Sequence, residues 1–188
     1  MPDRRTVLIA AAAGPLAAAL PARADEVESA LKTGGCVIAF RHALAPGTFD
    51  PPGFTPGVCS TQRNLNDEGR AQARRIGAWF TQRALAPSIV RSSPWCRCVD
   101  TARIAFGGAQ PWPALGSPRG TEERTYGDQM TQLRGALQAV PAGRFEVWVT
   151  HMFVLSDLAG TGTASGEGLV LRSGAGGTPT VVARLAIS

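Results

Sequence analysis

The chain has 188 residues, of which 1–24 read as a leader, leaving enough for one compact domain. Its formal charge of +5 falls to +3 once Arg4, Arg5, Arg23 and Asp3 leave with the leader, and the remaining basic residues are dispersed, which argues against nucleic-acid binding. No later stretch approaches the ~20 apolar residues of a membrane-crossing helix, so no membrane span is expected in the mature chain.

Arg4 and Arg5, the apolar stretch Val7–Leu20 and the small-residue site Ala22-Arg23-Ala24 form an export signal, with cleavage expected before Asp25. Arg4-Arg5-Thr6-Val7-Leu8 fits a twin-arginine signal loosely, so the export route stays open. The expected division is 1–24 as a cleaved signal peptide and 25–188 as a single domain, periplasmic or secreted.

Glu26 to Lys32 reads as a short helix stopped by Thr33-Gly34-Gly35. Cys36-Val37-Ile38-Ala39-Phe40-Arg41-His42 follows as a buried strand, apolar until its exit. Ala45 to Gly57, rich in proline and glycine with Phe49 and Phe54 embedded, reads as a loop long enough to cover a site. Asn66 or Asp67 caps a helix carrying Ala71, Ile76, Trp79 and Phe80 at helical spacing to about Leu85.

Ser88–Ser92 is a second strand. Ser93 is placed as the cap of the next helix, with Pro94 in its first turn and an end near Phe106. Gly107–Gly120 reads as a loop, Met130–Val140 as a helix, and Phe145–His151 as a strand matching the first in character. A short helix at Phe153–Leu158 precedes two final strands, Leu169–Arg172 and Pro179–Ile187. This order predicts an α/β fold, a single three-layer α/β/α domain with a mixed, largely parallel sheet.

The only two histidines, His42 and His151, both stand at strand exits, where ligands bind in such sheets. A neutral imidazole there can attack phosphorus while Arg41 binds the equatorial oxygens. Phosphoryl transfer depends on positioning and on spreading positive charge around the phosphate, so further cations should converge. Arg97, in the first turn of its helix, supplies one; its bland alternative is a surface pair with Asp100. His151 supplies a further donor. No metal or cofactor is required.

Four cysteines in an exported chain allow disulfides, with three full pairings that sequence alone cannot choose between. A single Cys59–Cys96 bridge is favoured, with Cys36 a buried thiol. A zinc site is the rival, poorly served by the spacing of Cys96-Arg97-Cys98.

In this order the motifs resemble those of the histidine phosphatase superfamily, the phosphoglycerate mutase-like fold. Phe40-Arg41-His42-Ala43 is similar to its Arg-His-Gly signature, and Leu65-Asn66-Asp67-Glu68-Gly69-Arg70-Ala71-Gln72-Ala73 to its Leu-Thr-x-x-Gly-x-x-Gln-Ala helix start. Ser93-Pro94-Trp95-Cys96-Arg97 through Thr101-Ala102 resembles Ser-Pro-x-x-Arg-Ala-x-x-Thr-Ala, and Thr150-His151 sits where a second histidine is expected. The resemblance implies that His42 is the nucleophile and that Arg41, Arg97 and His151 bind phosphate. Ala43 and Met152 replace two usual glycines and are expected to narrow the space beside the phosphate. Cys59-Ser60-Thr61-Gln62-Arg63-Asn64-Leu65 looks most like a small periplasmic branch that includes lipopolysaccharide core heptose phosphate phosphatases.

The family supplies its general acid from a carboxylate between the arginine helix and the second histidine. Glu123 is the choice here, because Glu123-Arg124-Thr125-Tyr126-Gly127 resembles the mutase acid segment; Glu122, Asp128, Asp157 and Glu167 are the alternatives. The expected function is an exported, metal-independent phosphomonoesterase. Its substrate would be a small phosphorylated molecule, such as a phosphorylated glycan or lipid headgroup, with Arg63 and Arg119 on the pocket rim. A mutase would need a lid to keep water from its phosphoenzyme, and the short mature chain has few insertions to build one. The rival from another class is a catalytically weak or inactive phosphate-ligand binding module.

Overall fold

A computed structural model describes residues 21–117 and 123–187, with side chains over 24–117 and 126–187. The leader as far as Leu20, and Arg119 and Glu122, lie outside the described residues, as does the side chain of Glu123.

Helix α1 (Pro21–Thr33) leads into β1 (Cys36–Arg41), and α2 (Asp67–Gln82) into β2 (Ile89–Ser92). Then come α3 (Cys96–Phe106), the two-residue strand β3 (Gln110–Pro111), α4 (Glu123–Gln138), β4 (Phe145–Thr150), α5 (Met152–Ala159), β5 (Gly168–Ser173) and β6 (Pro179–Leu185). They form one sheet in the order β3-β2-β4-β1-β5-β6. The first four of these run parallel, and β5 and β6 add antiparallel pairings at one side.

Side-chain alternation explains why the central strands carry apolar residues in both registers, Glu146 being the charged exception inside β4. Cys36, Ile38, Phe40, Phe145, Val147 and Val149 enter one core with α1, α2 and α3. Val37, Ala39 and Trp148 enter the other with α4 and α5. A strand covered on both faces needs both registers apolar, which yields the expected three-layer α/β/α arrangement.

Several element bounds differ from expectation. Helix α3 begins at Cys96, not at Ser93 or Pro94. Trp95, extended at φ −67° and ψ 135°, is its N-cap without a side-chain cap bond, and the Ser93 hydroxyl is engaged elsewhere. Helix α4 begins at Glu123 rather than Met130 and ends at Gln138. Tyr126, Met130, Leu133 and Leu137 pack on the same core at helical spacing, and Gly127 obscured the first turns of that stripe. Helix α2 stops at Gln82 and β6 at Leu185, while α1 starts at Pro21. The segment 107–120, read as loop, contains β3 and a 3-10 turn at Pro113–Leu115.

Candidate active site

Three adjacent parallel strands end at the same level. Arg41 of β1 pairs with Thr150 of β4, and Ser92 of β2 with Val149. One residue further, the His42 amide donates to the Thr150 carbonyl at 2.9 Å and the Ser93 amide to the Val149 carbonyl at 2.9 Å. The register therefore delivers His42, His151 and Ser93 side by side, with the two imidazole centroids 5.6 Å apart.

His42 is 2 % exposed. Its Nδ1 lies 2.8 Å from the Ala43 carbonyl oxygen. A carbonyl only accepts, so Nδ1 carries the proton and Nε2 keeps its lone pair. Burial, then the positive charges of Arg97, Arg63 and Arg41, push the His42 pKa down to about 3, although the Ala43 bond works the other way. At neutral pH the ring is uncharged, with the Nε2 lone pair retained. The Ala43 amide is itself anchored to α3, donating to Thr101 Oγ1 at 3.0 Å, while Thr101 donates to the Arg97 carbonyl at 2.7 Å.

His151 is held by two opposite contacts. Arg97 Nη2 lies 3.4 Å from its Nδ1, which must accept because a guanidinium only donates. Nε2–H then donates to Ser93 Oγ at 2.9 Å, with the Cys98 sulfur 3.6 Å away. Burial first, then Arg97 and the other positive groups around it, holds His151 well below the usual histidine range. The Cys98 thiol, fully buried, is pushed up to about 12 and stays protonated.

A cavity of about 320 Å³ opens over these residues. Among the described residues Arg41, Arg63 and Arg97 line it, against one carboxylate, Asp50. Both imidazoles being neutral, two positive charges of this described set are left uncompensated, the complement of a phosphate dianion. Burial, followed by the Arg97 charge, lowers the pKa of Arg41 and of Arg63. Arg97 pairs with Asp50 rather than with Asp100: Nη1 donates to Asp50 Oδ1 at 2.8 Å. Asp100 instead meets Arg70 and Arg103.

The loop from Ala45 to Gly57 covers the site, placing Gly47, Thr48, Phe49, Asp50 and Phe54 in the cavity wall. Arg63 stands there as expected. A Cys59–Cys96 disulfide ties the segment before Arg63 to the residue before Arg97. Cys36 and Cys98 are buried free thiols. Among the described residues no group of His, Cys, Asp and Glu is placed to hold a metal ion.

Met152 lines the cavity, but Ala43 does not narrow it. Its methyl is fully buried in a separate cluster with Ala45, Leu65 and Ala73. The alternative acids are dispersed. Glu167 is engaged on both oxygens, by the Ala164 amide at 2.8 Å and by Arg184 at 2.9 Å. Asp157 lies beside Tyr126, whose phenol pKa is raised by burial and then by that carboxylate. Asp128 is exposed on α4. None of the three lines the cavity. Asp50, which does, was missed because an acid in a Pro/Gly-rich loop carries no local signal of where the loop closes.

Residues 58–154 match the family described as histidine phosphatase superfamily (branch 1). No curated protein sequence matches the chain. Solved structures share the fold. The protein histidine phosphatase SixA complexed with tungstate is 17% identical, with a TM-score of 0.57 over 80% of this chain and 96% of that one. The putative phosphohistidine phosphatase SixA from Agrobacterium tumefaciens is 21% identical, with a TM-score of 0.52 over 81% and 98%. TTHB049 from Thermus thermophilus is 19% identical, with a TM-score of 0.57 over 81% and 99%.

Proposed function

The chain belongs to the histidine phosphatase superfamily, branch 1, and from that premise we propose that it is an exported phosphomonoesterase acting without metal through phosphorylated His42. The observation that carries this reading is a neutral His42, proton on Nδ1 and lone pair on Nε2, in a cavity with two uncompensated positive charges. In the proposed reaction Arg41, Arg97 and His151 bind the phosphoryl oxygens. Nε2 forms the N–P bond as the P–O bond to the alcohol breaks, and water then releases phosphate from His42. A dianion beside His151 offsets the repulsion that keeps its ring neutral, so an imidazolium can donate to a phosphoryl oxygen in the complex.

The leaving-group proton requires a carboxylate: the family resemblance implies Glu123, whose side chain lies outside the described residues, while Asp50 is the carboxylate seen to line the cavity. Export is supported by the Cys59–Cys96 bridge, which fits an oxidising compartment. It is also supported by the position of Val27 and Leu31, buried core residues that survive cleavage before Asp25. The cavity volume and its apolar wall of Phe49, Phe54 and Met152 support a small ester, such as a phosphorylated glycan or lipid headgroup, as substrate.

The test is phosphate release from 4-nitrophenyl phosphate by the mature protein in chelator, beside His42→Ala. Release is expected in the wild type and should fall at least about 10³-fold in the variant. An acid-labile phosphohistidine should be trapped only in the wild type. Folded wild-type protein that binds phosphate yet releases none would mark a binding module instead.

A further inference from the structure

We infer that Asp50 is the proton donor to the leaving group and, in the second step, the base that activates water. This rests on the phosphatase reading above.

Asp50 is the one carboxylate among the described residues that lines the cavity. Its side chain is only 8 % exposed, and its hydrogen bonds lock it to the groups that shape the phosphate site. Oδ1 accepts from Arg97 Nη1 at 2.8 Å and from the Arg63 amide at 2.9 Å, and Oδ2 accepts from Trp95 Nε1 at 3.2 Å. The Trp95 ring meets His151 edge-on at 5.3 Å and Phe54 at 6.1 Å. A carboxylate offers four lone-pair positions, and these contacts fill three. The remaining position, on Oδ2, can carry a proton without breaking any of them.

The charges around Asp50 favour proton uptake with substrate. The groups facing it are Arg97 from α3, Arg63 from the segment leading into α2, and Arg41, His42 and His151 across the cavity. Burial raises its proton affinity, but the Arg63 amide, Arg97 and Trp95 outweigh that and keep the carboxyl below its ordinary value. A phosphate ester adds like charge to the cavity and competes for Arg97, so the Arg97 share of what holds Asp50 ionised weakens while the added charge itself favours proton uptake. The ester can bring the proton itself, since the second phosphate pKa is about 6.

The balance then closes. As His42 Nε2 bonds to phosphorus, the P–O bond breaks and the alcohol oxygen takes the proton from Asp50 Oδ2. The resulting carboxylate accepts a proton from the water that attacks phosphorus, the P–N bond breaks back onto His42, and Asp50 is again protonated for release of phosphate.

The experiment compares glycerol 3-phosphate, whose alkoxide leaves poorly, with 4-nitrophenyl phosphate, whose phenolate barely needs an acid. It uses mature wild-type protein, Asp50→Asn, Asp50→Glu and Glu123→Gln. For Asp50→Asn the ratio of alkyl to aryl kcat should fall by about 10²- to 10⁴-fold, the usual contribution of general acid catalysis. Asp50→Glu should restore part of that ratio, and Glu123→Gln should keep it. A merely structural Asp50 would lower both substrates together and leave the ratio unchanged, which overturns the proposal; so does a loss of ratio in Glu123→Gln alone. If Asp50→Asn fails to fold, the wild type decides. Its alkyl kcat should decline towards high pH with a single ionisation that the aryl kcat lacks, and its absence overturns the proposal. Wild-type protein that turns over neither ester overturns the phosphatase reading itself, a result distinct from all of these.

Discussion

Arg97 spreads its guanidinium over three partners, Nη1 on Asp50 and on the Arg63 carbonyl and Nη2 on Nδ1 of His151. It thereby fixes the distance between a carboxylate from the covering loop and an imidazole from the end of β4. A lysine carries the same charge on a single nitrogen and cannot span both. Arg97→Lys should therefore behave as a loss of geometry rather than of charge. Aryl phosphate kcat/KM is expected to fall about 10²-fold, near 3 kcal/mol of transition-state stabilisation, with KM and kcat both affected. Steady-state kinetics against wild type checks this; activity within a few fold would show that charge alone suffices at this position. Asp50 and Arg97 also share one buried contact, so effects of changing both should fall well short of additive.

At the scale of elements, the first turn of α2 is what holds the backbone after His42. Asn66 caps it by accepting from the Gly69 amide at 2.8 Å. Gln72, one turn on, accepts from the Leu44 amide at 3.0 Å and donates to the Ser165 carbonyl at 2.7 Å, clasping two loops beside the site. Gly69 lets this turn lie against Leu44, because a Cβ there would collide with the Leu44 carbonyl. Gly69→Ala should push α2 away from residues 42–44, costing about 1–3 kcal/mol of stability and lowering aryl phosphate turnover as well. Urea denaturation and the same kinetic assay measure the two effects. Local features such as the Asn66 cap, the doubly apolar strands and the two strand-exit histidines could be read from sequence, since each is written in neighbouring residues. Tertiary choices could not. Ser93 looks like a helix cap until His151 takes its hydroxyl, Arg97 looks paired to Asp100 until the covering loop brings Asp50, and Ala43 looks like a pocket residue until it packs under α2.

For the molecule as a whole, burying two imidazoles among guanidiniums has a consequence for stability. His42 has its pKa pushed down to about 3 in the fold, against an ordinary 6.5 in the unfolded chain. Between those values the unfolded state binds more protons, so acidification favours unfolding: the contribution is fully present above pH 6.5 and is lost progressively below it. At pH 5 the loss from His42 alone is about 2 kcal/mol, and His151 shifts in the same direction. Asp50, depressed rather than raised, adds a loss of the same sign only at lower pH, below the ordinary 3.8 of its carboxyl. Against a typical domain stability of about 5–15 kcal/mol, a deficit of this size is readily measured. Urea denaturation of the protein should show stability falling from pH 7.5 to pH 5 by at least about 2 kcal/mol. His42→Asn, whose amide can still donate to the Ala43 carbonyl, should flatten that slope without abolishing it, because His151 remains. A flat wild-type profile would mean that the imidazoles take up protons in the fold as readily as in the unfolded chain, so that the guanidiniums and burial do not hold the His42 lone pair free on the acid side of pH 6.5.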